Sequence, residues 1–162
     1  MIILNKKCKY LFIEEIIEIN NQVLTVTNEL DTFILEQPDD LRYLLKFTKK
    51  NFNNDLYRKS LSYCITLIIL HPFKNGNHRT SLLTAEQFLL VNNYQDLSSD
   101  EKDLKLQKWR IHYEEKYELE REFFRITCIE EEKKRSAEIL KIMNSHYGKY
   151  IEKWLHTNFI EK

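Results

Sequence analysis

Residues 55–94 read DLYRKSLSYCITLIILHPFKNGNHRTSLLTAEQFLLVNNY, and this stretch decides the fold. From Asp55 the run becomes apolar nearly all round by Leu61 to Leu70, the pattern of a helix buried in the middle of a fold. It ends at His71. A short loop of Pro72, Phe73, Lys74, Asn75 and Gly76 follows, and a second helix is predicted from near Asn77, with Arg79 in its first turn. Leu82, Leu83, Ala85, Phe88, Leu89 and Leu90 give that helix a wide apolar face, and Asn92-Asn93 stops it, since Asn tolerates the left-handed conformation. The whole chain holds two glycines and two prolines, and one of each falls within the nine residues His71 to Arg79.

Outward from this pair, residues 12–24 place Phe12, Ile16, Ile19 and Val23 at helical spacing, which predicts an amphipathic first helix. Val23 to Glu36 alternates more like a strand or an irregular connection. Pro38-Asp39-Asp40 then offers a helix start for a helix over about 40–49, and Asn51 to Asn54 breaks it. From Ser98-Ser99-Asp100 onward, one stripe carries Leu106, Trp109, Tyr113, Tyr117, Phe124 and Cys128, and a later one Ala137, Leu140, Tyr147, Ile151 and Trp154. These predict two further helices, with the charge runs EEEKKR and YEEKYELERE as solvated faces. Trp109 and Trp154 read as core, and His112, His146 and His156 as surface or packing residues. The fold class is all-α, a compact helical bundle with a buried central helix. The 162 residues fit one domain, with 55–94 as its motif region and 98–162 as its helical C-terminal part.

Acidic and basic residues balance at 25 each, so no whole-molecule field favours nucleic acid or an anionic membrane, and neither is expected as a partner. Cys8, Cys64 and Cys128 are odd in number and widely spaced, which fits reduced thiols in a cytoplasmic protein. The opening MIILNKKCKYLFIEE is too short and too soon interrupted by lysines for a signal peptide or membrane anchor.

The loop carries the chemistry. A helix starting near Asn77 points unpaired backbone N–H groups and the positive end of its dipole at the loop, a setting suited to phosphate. Gly76 allows close backbone approach, Asn77 is expected to cap the helix, and Arg79 offers a planar fork to phosphate oxygens. His71 is the nearby side chain whose ordinary pKa suits proton abstraction near neutrality. Base and anion cradle within one loop point to phosphoryl or nucleotidyl transfer to a hydroxyl.

HPFKNGNHRT resembles the signature HxFx(D/E)(G/A)N(G/K)R of the Fic and death-on-curing (Doc) family, matching at His71, Phe73, Gly76, Asn77, Arg79 and the Doc-like Thr80. The resemblance spans about residues 55–94 and is closest in character to small Doc proteins. It implies a Fic/Doc-like bundle that moves AMP, or in Doc-type members the terminal phosphate, from ATP or another nucleotide to a Ser, Thr or Tyr hydroxyl of a target protein. It also implies His71 as the catalytic base, Phe73 as loop anchor, and Gly76, Asn77, His78 and Arg79 as the phosphate cradle. Asn75 stands where the family has an acidic Mg2+ ligand, and a neutral amide holds a hard cation less well, so metal use is weakened. His78 replaces Gly or Lys, which tilts the reading toward Doc-like nucleotide placement. Thr25 to Leu30, TVTNEL, matches five positions of the family's autoinhibitory (S/T)xxxE(G/N) pattern; toxin-like members without that element rely on a separate antitoxin. The alternative to a transferase is a degenerate Fic-like module that binds nucleotide or a partner protein without turnover.

Overall fold

In the computed structural model, which describes residues 7–97 and 99–162, helix α1 (Ile13–Val26) is followed by a 3-10 turn (Leu30–Thr32) and by α2 (Pro38–Lys50). Pro38 occupies the first helical position of α2, where its missing N–H is no loss, and Asp39, Asp40, Lys49 and Lys50 complement the dipole at the two ends. Helix α3 (Leu56–Leu70) starts where the Asp55 carboxylate accepts the Arg58 N–H at 3.0 Å. Every residue from Lys59 to Leu70 is buried, and α3 packs against α2, α4 (Asn77–Val91), α6 (Leu119–Thr127), α7 (Glu132–Asn144) and α8 (His146–Asn158). Each fully buried Leu or Ile contributes on the order of 1.5–3 kcal/mol, so α3 is the main hydrophobic anchor of the chain. Small polar side chains let α4 approach it closely: the Ser60 hydroxyl donates to the Ala85 carbonyl at 2.8 Å.

Lys59 is the exception within α3, 1% exposed and charged. Its Nζ donates to the carbonyls of Thr48 at 2.9 Å and Asn51 at 2.8 Å, where α2 ends and its last carbonyls lack helical partners. Helix α5 (Asp100–Lys116) leads into the C-terminal helices. Strands β1 (Tyr94–Asp96) and β2 (Phe159–Glu161) pair antiparallel, Gln95 opposite Ile160, and so tie the chain's end to the exit of α4. No helix among the described residues is long and apolar enough to cross a membrane.

Several expectations change. The predicted helix over 12–24 runs Ile13–Val26; Phe12 precedes it and is 70% exposed, while Asn20 and Leu24 join the buried face. Val23 to Glu36 is helical through Val26, turns at Asn28 with φ 58°, and pairs in strand fashion only where Leu35 bridges Phe73. Helix α2 begins at Pro38 rather than near 40. Asn77 is the first residue of α4, with Gly76 at the cap position.

The two C-terminal helices expected from the sequence are four among the described residues, α5 to α8. The first break falls at Glu118, in the left-handed region at φ 52°, where no Gly or Pro announces it. As a result Tyr117, Phe124 and Cys128 lie exposed, off the predicted stripe, and so does Ala137. The features at residues 1–6 and at Ser98 lie outside the described residues.

The second break is a tight corner. Ser145 ends α7, and its hydroxyl caps α8 at the Gly148 N–H. A Cβ on Gly148 would meet the Met143 carbonyl carbon at 2.5 Å and the Ile142 carbonyl oxygen at 2.6 Å, so only glycine fits under the end of α7. Gly148→Ala is expected to lower stability by about 2–3 kcal/mol, read as a drop in the urea midpoint with the slope unchanged. A loss under about 0.5 kcal/mol would mean that the corner relaxes freely.

Candidate active site

His71 ends α3 in the left-handed conformation, φ 53° and ψ 53°, with its N–H still donating to the Leu67 carbonyl at 3.0 Å. A histidine tolerates this region better than a β-branched residue, and the conformation turns the chain sharply out of the buried helix. The next two residues are buried. The Pro72 carbonyl accepts from the Glu36 N–H at 2.9 Å and the Gln37 N–H at 3.1 Å, and the Lys74 N–H donates to the Ile34 carbonyl at 2.9 Å. Residues 34–37 thus form a short edge alongside the loop. Phe73, 0% exposed, is its apolar plug, with its ring 6.4 Å from that of Phe33.

The loop closes on Asn77. Its side-chain oxygen accepts the Phe73 N–H at 3.1 Å, and its Nδ2 donates to the Phe73 carbonyl at 2.6 Å. At 4% exposure, this side chain braces the loop from inside. Gly76 sits at φ 75°, and a Cβ there would lie 3.2 Å from Val23 and 3.3 Å from the Asn20 amide, so glycine is required by conformation and space together. The first helical acceptor bond of α4 runs from the Thr80 N–H to the Gly76 carbonyl at 2.9 Å. The backbone N–H groups of Asn77, His78 and Arg79 are therefore the unsatisfied donors of the helix start.

Asn20, on α1, contacts the loop and was missed by sequence reasoning. Its Nδ2 donates to the Asn75 carbonyl at 2.9 Å and to the Thr80 hydroxyl at 3.0 Å, so α1 ties the end of the loop to the first turn of α4. The available signal was an Asn placed among Ile16, Ile19, Val23 and Leu24 on one buried face.

Arg79 turns toward the end of α1. Its guanidinium donates to the Thr27 hydroxyl at 3.0 Å and the Val23 carbonyl at 3.5 Å, and pairs with Glu29 at 3.4 Å. The TVTNEL segment thus lies against the cradle, but through Thr27 and Glu29. Thr25 instead bonds back to the Asn21 carbonyl within α1.

His78 is held from the other side. Its Nε2 lies 2.5 Å from a carboxylate oxygen of Glu114 on α5, a residue within the charge run expected to be solvated and in fact only 9% exposed. Burial would raise the Glu114 pKa, but the hydrogen bond and charge of His78, with Arg110 and Tyr147, bring it below the usual carboxylate value. His71 is shifted the opposite way to a buried acid. Crowding by the protein first, and then repulsion from His78, lower its pKa from 6.5, so the ring is neutral and able to accept a proton at neutral pH.

The donor set does not fit a metal cage. Asn75 brings one neutral amide, and no cluster of three or more His, Cys, Asp or Glu side chains suited to a metal occurs among the described residues.

Geometrically, the loop therefore combines a neutral imidazole, three free backbone donors at a helix start and a guanidinium. No curated protein and no solved structure matches the chain. Residues 10–89, which contain α1 to α4 up to Leu89 and the whole of this loop, match the Fic/DOC family, and together with the all-α bundle around the loop they place the chain in the Fic/DOC family.

Proposed function

We propose that this protein is a Fic/Doc-type transferase that moves a phosphate-containing group, AMP or a terminal phosphate, from ATP or a related nucleotide to a Ser, Thr or Tyr hydroxyl of a target protein. Family membership supports the coarser statement, Fic-type protein modification. The observation that carries the finer reading is the juxtaposition, across one loop, of the neutral His71 ring and the open N-terminus of α4. In this reading His71 takes the proton of the attacking hydroxyl as its oxygen bonds to phosphorus. The backbone donors at residues 77–79 hold the phosphate charge while the bond to the leaving phosphate breaks. Asn77 acts by keeping those donors in place, and Phe73 by pinning the loop beneath them. Because the loop offers no metal cage, no step is assigned to a protein-bound cation.

Incubating the protein with ATP labelled at the α or the γ phosphate, in lysate, tests the reading and names the group moved. His71→Ala is expected to cut transfer by roughly a hundred- to ten-thousand-fold with an unchanged thermal midpoint. Near-normal activity in that variant would remove His71 from the role.

The lowered His71 pKa sets the direction of the pH profile. The base form is lost only as pH falls through the lowered value, so the acid limb of kcat/KM is expected below pH 6.5. His78→Ala removes the repelling neighbour and is expected to move that limb upward; a shift downward would contradict the electrostatic assignment.

Arg79 must exchange Glu29 for phosphate before it can act in the cradle. Glu29→Ala is therefore expected to raise the rate of target modification several-fold or more and to tighten ATP binding. The pair is more than a third exposed and contributes little to the fold, so the thermal midpoint should hardly change. An unchanged ATP affinity would show that Glu29 does not compete for Arg79.

A further inference from the structure

Helices α5 and α8 lie beyond the family-matched residues, yet they deliver a buried polar network to His78 in the first turn of α4. Glu114 uses both carboxylate oxygens, one on His78 Nε2 at 2.5 Å and the other accepting the Tyr147 hydroxyl. Arg110, 0% exposed, donates through Nε to the Tyr147 hydroxyl at 3.3 Å, through Nη2 to the Ser81 hydroxyl at 3.0 Å and through Nη1 to the His78 carbonyl at 3.3 Å. The Ser81 hydroxyl also donates to the His78 carbonyl, at 2.7 Å. Both the backbone and the ring of His78 are thus gripped from α5.

Stability alone does not account for this arrangement. Two desolvated charges are commonly replaceable by apolar side chains of similar volume without loss of stability. The network instead converges on a side chain that is 31% exposed, beside His71 and in the first turn of α4. An imidazole left alone there would sample several rotamers, and ordering it would count against each binding event. A carboxylate accepting from Nε2 fixes the ring and, when the ring carries both protons, leaves the Nδ1–H as the donor available to a ligand oxygen.

We propose that Glu114 is a positioning residue of the site: by holding Nε2 of His78 it presents the imidazole to phosphate bound at the start of α4, so that the C-terminal helices complete the active site. The inference rests on reading that helix start as a phosphate cradle. Glu114 itself touches no substrate and acts only through His78.

The test is a double-mutant cycle of Glu114→Gln and His78→Ala on ATP affinity by calorimetry, with the ring nitrogen resonances of His78 recorded without nucleotide. Glu114→Gln is expected to weaken ATP binding roughly tenfold in the wild-type background and less than about twofold in His78→Ala, and to shift the His78 ring resonances. Equal losses in both backgrounds, or unmoved ring resonances, would overturn the proposal. Should Glu114→Gln fail to fold, Glu114→Asp keeps the counter-charge for Arg110 while drawing the carboxylate back from the ring. The same ring shift and loss of affinity are expected from it, and their absence would count equally against Glu114. A wild type that binds ATP but transfers no label would sink the transferase reading alone, because neither affinity nor ring spectrum depends on turnover.

Discussion

The Asn77 side chain and the Phe73 backbone exchange two hydrogen bonds, at 3.1 and 2.6 Å, and the candidate site depends on that small ring of contacts. A loop between two buried helices cannot satisfy its polar groups with water, so they need internal partners. One buried amide supplies two of them at Phe73, the residue whose aromatic side chain plugs the core. Asn20 from α1 and the backbone of residues 34–37 supply more. With the loop fixed on three sides, the start of α4 can keep its own N–H groups unpaired, and unpaired donors are what an anion needs.

Electrostatics around the loop divide into two arms. Toward α1, Arg79 is engaged by Thr27, the Val23 carbonyl and Glu29, in a partly exposed setting where water competes and the contacts are easily exchanged. Toward α5, His78 is engaged by Glu114 in a largely buried setting where exchange is costly. One cationic side chain is thus loosely held and its neighbour firmly held. His71 stands between helix end and loop, its proton affinity lowered by crowding and by His78.

Much of the architecture was legible along the chain. The all-round apolar run of α3 could be satisfied only by burial, and Pro38, Asp55 and Asn92-Asn93 act through local backbone chemistry, so the ends of α2, α3 and α4 lie within a residue or two of where capping rules put them. The C-terminal region was less legible. Its breaks at Glu118 and Ser145 carry weak local signals, and packing decides them, as the clearance at Gly148 shows.

The sequence by itself determined what is local: a buried helix ending at a histidine, a glycine that must take a positive φ, a helix start beside an arginine and the family signature these spell. Tertiary structure alone decided what is non-local. Asn20 reached the Asn75 carbonyl of the loop from 55 residues away and the Thr80 hydroxyl of α4 from 60, and Glu114 left the solvated face on which its neighbours remain. A single polar letter in a helix does not say which partner will meet it, because the cost of burying a charge or an amide is set by the groups that surround it in space.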